Sequence, residues 1–78
     1  MKVYILQSEI DGAQYVGMSL DVEQRLKMHN TGRVKSTKGK GPWKVIHEEE
    51  FDTLAEARKR EKYLKTAAGR RFRKTLGH

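Results

Sequence analysis

A turn signal between two strand-like segments is the feature that most constrains the fold of this chain. Residues 2–8 are rich in strand-forming side chains, residues 14–18 resume the same apolar character, and Asp11-Gly12 lies between them. An Asp-Gly pair flanked by such segments is typical of a β-hairpin. The chain is therefore predicted to begin with two antiparallel strands joined near Asp11-Gly12.

The register of this hairpin decides whether two tyrosines meet. Side chains alternate between the faces of a sheet, so a loop with an even number of residues places Tyr4, Leu6 and Tyr15 on one face. An odd loop without a bulge separates them. Considered singly, either tyrosine is more often a half-buried packing residue than part of a site. Because both lie close to the same turn, Tyr4 and Tyr15 together indicate a site.

Capping signals predict a helix after the hairpin. Asp21 followed by Gln24 has the pattern of a capping box, and Val22 and Leu26 form the expected buried pair. Gly32 is the expected stop of this helix.

A mobile basic loop and a third strand are predicted next. Residues 31–41 mix basic side chains with Gly, Ser and Thr, and residues 43–51 alternate loosely between two faces. The expected faces are Trp43, Val45 and His47 against Lys44, Ile46 and Glu48.

Two further helices complete the predicted fold. Thr53 and Glu56 form a strong capping box, and the helix that follows, through Lys65, carries a stripe at helical spacing made of Leu54, Ala57, Glu61 and Leu64. Its three apolar members are expected in a core. After residues 67–69, a short basic helix is expected to pack Phe72 and Leu76 onto the domain, with Arg70, Arg71, Arg73 and Lys74 facing mostly outward. The order ββαβα plus a short C-terminal helix predicts an α+β fold.

The length and composition limit what the chain can be. A chain of 78 residues can bury one small core, so we expect a single domain over residues 1–78. With no cysteine it can form neither a disulfide nor a thiolate zinc site. We expect a cytoplasmic protein that does not cross a membrane, because there is no secretion signal and no apolar run near the roughly 20 residues that a bilayer requires.

An excess of positive charge predicts a polyanionic partner. Seventeen Lys and Arg against ten Asp and Glu give a formal net charge of +7. Residues 1–50 carry eight basic and seven acidic side chains, whereas residues 51–78 carry nine and three. Solubility alone would explain a mixed charged surface better than this one-sided excess.

Five side chains form a candidate site for phosphodiester cleavage. Arg25 and His29 lie one helical turn apart, and Glu61 interrupts an apolar stripe. Cleavage needs a group that deprotonates water, positive charge at the phosphoryl oxygens, and help for the departing oxyanion. A tyrosine, Tyr4 or Tyr15, can accept a proton if a neighbour offsets its high pKa. Arg25 suits a phosphate, and Glu61 with waters and substrate oxygens suits Mg²⁺.

Each of these residues also has an ordinary structural explanation. Arg25 alone is typical of a helix surface, His29 could complement a helix dipole, and Glu61 could pair with Lys65 at i+4. Asn30 is expected to belong to the helix exit, and Trp43 to a core rather than to a base-stacking surface.

The combined pattern resembles the GIY-YIG nuclease family, specifically its small single-domain bacterial members. Tyr15-Val16-Gly17 resembles the second signature triad, and Lys2-Val3-Tyr4 stands where the first triad is expected. Residues 21–26, with His29-Asn30 and Gly32, resemble the helix motif that follows, and residues 56–62 resemble the metal-ligand helix. The match extends from about Val3 to Lys74.

The resemblance implies a fold, an activity and roles for the site residues. The fold would be a three-stranded antiparallel sheet flanked by helices. Tyr4 and Tyr15 would surround the attacking water, Arg25 would hold the phosphate, His29 would assist proton transfer, and Glu61 would bind one Mg²⁺, for which Mn²⁺ can substitute. The expected substrate is DNA, with RNA still open, in repair or recombination, and a protein partner could supply specificity.

The sequence leaves two other functions open. The chain could be a non-catalytic nucleic-acid-binding module on the same fold, or a protein-interaction domain whose charge serves solubility. If the chain is a nuclease or a binding module, nucleic acid is expected to contact two basic groups, namely Arg33, Lys35, Lys38 and Lys40 of the loop, and Arg70, Arg71, Arg73 and Lys74 of the last helix.

Overall fold

The computed structural model describes residues 1–77, and its elements follow the predicted order. The strands and helices are β1 (Lys2–Ser8), β2 (Gln14–Ser19), α1 (Val22–Asn30), β3 (Trp43–Glu50), α2 (Leu54–Leu64) and α3 (Ala67–Leu76). The three strands form one antiparallel sheet in the order β2-β1-β3. The predicted α+β fold is confirmed.

The hairpin has the register that brings the two tyrosines to one face. Leu6 pairs with Tyr15 and Tyr4 pairs with Gly17, so an even number of residues separates each pair. Gly12 takes a φ of 76° in the turn, a conformation that favours glycine. Of the two alternatives left open by the sequence, the even one therefore holds, and Tyr4, Leu6 and Tyr15 share a face.

The sheet has a core on each face, and β1 contributes to both. Tyr4 and Leu6 pack with α1 and the start of β3, in a first core of Tyr4, Leu6, Val22 and Trp43. Val3 and Ile5 pack with α2 and α3, in a second core of Val3, Ile5, Val16, Ala57 and Leu64. The four β1 side chains are at most 1% exposed. Complete burial of side chains of this size contributes about 1.5–3 kcal/mol each.

A β-bulge in β3 overturns part of the predicted alternation. Leu6 pairs with Val45 but Ile5 pairs with His47, so Ile46 is an additional residue opposite β1. Trp43 and Val45 face the first core as predicted. Ile46 contacts the second core, and the His47 ring lies 5.6 Å from the Phe72 ring. The predicted grouping of His47 with Trp43 and Val45 was wrong, because the additional residue moves the rest of the strand to the opposite phase.

Two other predicted placements were also wrong. Leu54 belongs to the apolar stripe of α2 but is 50% exposed, at the first position of the helix. Arg73 does not face outward: its Nε donates to the carbonyl oxygen of Leu64 and its Nη1 to Gln14 Oε1. Leu64 ends α2, so Arg73 satisfies a carbonyl that the helix leaves without an internal partner.

Gly69 lies in the first turn of α3, where the backbones of α2 and α3 approach closely. The last helix begins earlier than predicted, at Ala67, with Thr66 as its N-cap. A Cβ at Gly69 would overlap the carbonyl oxygen of Tyr63 and the backbone of Leu64. Helix α3 therefore requires glycine at this position to pack against α2.

Gly69→Ala is expected to lower the free energy of unfolding by about 1–3 kcal/mol, the usual cost of overpacking. Helix propensity alone predicts the opposite sign, since alanine favours helix by about 1 kcal/mol over glycine. Urea unfolding followed by circular dichroism measures the difference. A variant as stable as the wild type or more stable would contradict the close approach.

Candidate active site

A chain of hydrogen bonds joins β1, α1 and the basic loop inside the first core. Tyr4 Oη lies 3.0 Å from His29 Nε2, and His29 Nδ1 lies 2.9 Å from Thr37 Oγ1. Each of these three residues is 1% exposed. His29 lies on α1. Asp21 stabilises the N-terminus of this helix by accepting a hydrogen bond from the Gln24 backbone N–H.

The second tyrosine lies beside this chain. The Tyr15 ring centroid is 4.6 Å from that of His29 and 6.2 Å from that of Tyr4. Gly17 makes this arrangement possible, because a Cβ there would lie 2.6 Å from Tyr4 Oη and 2.9 Å from Tyr15 Cε1. The glycine after Tyr15-Val16 is therefore required by the packing of both tyrosines.

Arg25 adds a positive charge to the site, and one of its buried hydrogen-bond donors has no acceptor within residues 1–77. Its Nη1 lies 3.6 Å from Met28 Sδ, and its buried Nε has no hydrogen-bond partner among residues 1–77. A buried donor without a partner costs about 1–3 kcal/mol. An anionic oxygen is the kind of acceptor that would satisfy this group.

The electrostatics keep Tyr4 and His29 uncharged and Arg25 charged at neutral pH. Burial raises the pKa of the Tyr4 phenol, and the neighbouring Arg25 guanidinium offsets part of that rise. Burial lowers the pKa of His29, and the positive charge of Arg25 lowers it further. The interaction with Tyr4 raises the pKa of Arg25 in turn. At neutral pH the site therefore contains a protonated phenol, an uncharged imidazole and a charged guanidinium.

Glu61 lies on α2, the helix that contributes to the second core. Its side chain is 20% exposed, and Oε2 lies 3.6 Å from Lys65 Nζ, so the ordinary i+4 pairing is present. Its negative charge also makes a small contribution to the raised pKa of Tyr4. Glu61 is not part of the hydrogen-bond chain itself.

A single carboxylate is the only form of metal site that this arrangement fits. In the described part of the chain no three His, Asp or Glu side chains come together as a metal-binding group. Mg²⁺ commonly keeps several waters and uses one or two carboxylates with substrate oxygens. Glu61 is partly exposed, and its one ion pair within residues 1–77 is the long contact to Lys65, so it suits that mode.

The basic loop contacts the site through one short helical turn. A single turn of 3₁₀ helix spans Lys35–Thr37, and the Thr37 carbonyl accepts from Trp43 Nε1 at 3.1 Å. The four predicted contact residues of the loop are exposed, namely Arg33, Lys35, Lys38 and Lys40. On α3, Arg70, Arg71 and Lys74 are exposed, whereas Arg73 is engaged with the protein as described above.

Two residues of the site went unrecognised in the sequence. Thr37 appeared as one polar residue of a loop, and no signal in a single sequence marks it. Asn30 does more than end α1: its Oδ1 accepts from the Trp43 N–H at 2.6 Å and its Nδ2 donates to the Trp43 carbonyl at 3.2 Å. Together with buried Trp43, which is a core residue as predicted, Asn30 fixes the start of β3 against α1.

Stability is expected to fall as the pH drops below about 6.5, the ordinary pKa of histidine. The lowered pKa of His29 means that the unfolded state binds a proton more readily than the native state, so acid favours unfolding until the pH passes the native pKa. The carboxyls with lowered pKa, Asp11 and Glu49, act only below their ordinary values of 3.8 and 4.5. Urea unfolding at about pH 7 and about pH 5 measures the slope.

His29→Gln provides the control for this slope. It removes the titrating imidazole, so its stability should change less than that of the wild type over the same pH interval. Equal slopes for the two proteins would contradict the assignment to His29.

The chain is similar to known proteins over almost its whole length. A model of the GIY-YIG catalytic domain matches residues 1–74. A UPF0213 protein of Staphylococcus saprophyticus is 42% identical over 65 residues, which cover 82% of this chain and 78% of that protein. A UPF0213 protein of Halobacterium salinarum is 39% identical over 64 residues, covering 81% of this chain and 82% of that protein. The names of these two relatives state no activity.

One solved structure has the same fold. The solution NMR structure of a UPF0213 protein from Bacillus halodurans matches with a TM-score of 0.57 and 32% identity, and it covers 96% of this chain and 82% of that chain. The similarity thus includes every strand and helix that carries the candidate site.

Proposed function

Because the chain belongs to the GIY-YIG catalytic domain family, we propose that it is a metal-dependent endonuclease that hydrolyses DNA phosphodiester bonds. The membership supports a nuclease with a nucleic-acid substrate. The proposal goes further in naming DNA, cleavage within the strand, and a one-metal, tyrosine-assisted mechanism in a single domain over residues 1–78.

The unmet donor of Arg25 is the observation that carries the proposal. A buried guanidinium N–H without a partner lies beside a phenol and a neutral imidazole that are hydrogen-bonded to each other. Packing of the core does not favour this arrangement, because an unpaired buried donor lowers the stability of the fold. A scissile phosphate gives the donor an acceptor and places the reacting phosphorus next to Tyr4.

The same geometry supports a proton path from the attacking water through Tyr4 to His29. The attacking water gives a proton to Tyr4 Oη as the phenol proton moves to His29 Nε2. Because no free phenolate forms, the raised pKa of Tyr4 does not oppose the transfer. Tyr4 is thus the general base. Tyr15 borders the same space and orients the water or the phosphate, and Arg25 stabilises the charge on the phosphoryl oxygens.

Glu61 is the residue proposed to hold Mg²⁺, or Mn²⁺ in its place. The bound ion would supply positive charge to the phosphate oxygens and to the departing oxyanion. Lys65 must release Glu61 for this, and a 3.6 Å contact with an exposed lysine is easily exchanged.

The exposed basic residues are proposed to contact the nucleic-acid backbone. Those of the loop, Arg33, Lys35, Lys38 and Lys40, belong to the segment that reaches the site through Thr37. Those of α3, Arg70, Arg71 and Lys74, form a second group, and Arg73 is withdrawn from it. A cytoplasmic location, a role in repair or recombination, and a protein partner that adds specificity belong to the same proposal.

Cleavage of end-labelled DNA tests the proposal. Single-stranded, duplex, flapped and four-way-junction DNA, and an RNA of the same sequence, are incubated with Mg²⁺, with Mn²⁺ or with EDTA. We expect cleavage that requires the metal and that falls about 100-fold or more in Arg25→Lys, which keeps the charge but loses the two-pronged donor.

Lys27→Ala is the matched control for Arg25→Lys, since Lys27 is an exposed cation on the same helix. It should leave the cleavage rate close to that of the wild type. Salt-sensitive binding without cleavage of any substrate would instead favour the non-catalytic binding module.

A further inference from the structure

The buried hydroxyl of Thr37 makes two hydrogen bonds that together determine where its proton lies. Its Oγ1 is 2.9 Å from His29 Nδ1 and 3.2 Å from the carbonyl oxygen of Val34. A carbonyl oxygen can only accept, so the Thr37 hydroxyl donates to Val34 and its oxygen remains as an acceptor. His29 Nδ1 must therefore be the donor in the other bond.

This assignment fixes the second ring nitrogen. A neutral imidazole carries one N–H, so a protonated Nδ1 leaves Nε2 with a free electron pair. Tyr4 Oη lies 3.0 Å from that nitrogen and donates to it. All three side chains are buried, so the protein and not the solvent determines which nitrogen carries the proton.

We propose that Thr37 is a positioning residue that selects the Nδ1–H tautomer of His29 and thereby presents Nε2 to Tyr4 as a proton acceptor. The opposite tautomer would direct an N–H at Tyr4 Oη and could not receive the phenol proton. The effect of Thr37 on cleavage rests on the proposed function, but the tautomer itself does not.

Thr37 is held firmly enough to make this selection. Its carbonyl oxygen accepts from the indole N–H of Trp43, which is itself fixed by Asn30. Lys35 and Lys38 flank Thr37 in the same segment and are exposed. The segment that offers charge to a nucleic-acid backbone thus also sets the protonation of the imidazole.

Nitrogen-15 NMR of the histidine rings in the free protein tests the assignment without substrate or metal. The signals of His29 are those that persist in His47→Gln and His78→Gln variants. In the wild type we expect a protonated, pyrrole-type Nδ1 and an unprotonated, pyridine-type Nε2. In Thr37→Val, which keeps the shape but removes the acceptor, the proton should shift towards Nε2, whereas Thr37→Ser should keep the wild-type pattern.

Cleavage rates of the same variants measure the effect of Thr37 on the proposed reaction. Thr37→Val should lower the rate by about 100-fold, the lower end of what general acid–base assistance supplies. Thr37→Ser should retain most of the rate. A wild-type spectrum with the proton on Nε2 would overturn the proposal even if the valine variant did not fold. An unchanged ring pattern in a folded Thr37→Val variant would overturn it too. A wild type without cleavage would overturn the proposed function and leave the tautomer to be decided by the spectra.

Discussion

Glu61→Gln is expected to reduce cleavage by about 1,000-fold or more, because the loss of metal-supplied charge at the phosphate amounts to several kcal/mol. Glutamine keeps the size and the polarity of the side chain but not its charge. The exposed pair with Lys65 is worth only about 0.3–0.5 kcal/mol, so the fold should remain intact. Binding of DNA without metal should be unchanged or tighter, since a negative charge near the backbone is removed.

Lys65→Met is the control that separates the ion pair from the metal site. It breaks the same 3.6 Å contact but leaves the carboxylate in place, so cleavage should persist. The measurements are cleavage rate against Mg²⁺ concentration, fluorescence anisotropy of labelled DNA in EDTA, and urea unfolding. A Glu61→Gln protein that cleaves within about tenfold of the wild type would contradict the metal assignment.

Tyr4→Phe is expected to lower cleavage by about 100- to 10,000-fold and to cost stability as well. The phenol is the general base of the proposed mechanism, and its loss also leaves His29 Nε2 buried without a donor. Such an unmatched acceptor costs about 1–3 kcal/mol. Single-turnover cleavage and urea unfolding measure the two effects separately.

Tyr15→Phe is the matched comparison, because the Tyr15 hydroxyl is not a member of the hydrogen-bond chain from Tyr4 through His29 to Thr37. It should lower cleavage less than Tyr4→Phe does and should leave the stability nearly unchanged. If Tyr15→Phe proved the more damaging of the two, the roles of the tyrosines would have to be exchanged.

Local signals explain why most of the fold could be predicted. The Asp11-Gly12 turn, the Asp21 cap and the Thr53 cap each act over a few residues, so the sequence carries them directly. The parity of the hairpin loop then determined which face carries Tyr4 and Tyr15.

The errors arose where a partner element decides the outcome. The bulge at Ile46 depends on how β3 pairs with β1, and a loosely alternating strand carries no sign of it. Arg73 has the pattern of a surface cation, but the open carbonyl at the end of α2 draws it inward. Both cases require knowledge of which segments meet.

The residues of the candidate site that lie on helices and strands could be predicted from the sequence, whereas the one in the loop could not. Arg25 and His29 followed from helical spacing, and Tyr4 and Tyr15 from strand alternation. Thr37 lies in a loop without periodicity, and its role depends on the exact position of one hydroxyl group. A chemically important residue of this kind is found only from coordinates.

The central position of β1 has a consequence for how the candidate site responds to heating. Tyr4 stands between Val3 and Ile5, whose side chains belong to the core on the other face of the sheet. The candidate site therefore cannot unfold by itself while the rest of the molecule stays folded. The backbone amides of this strand should exchange with deuterium only through global opening, and heat inactivation should coincide with the cooperative unfolding of the whole molecule.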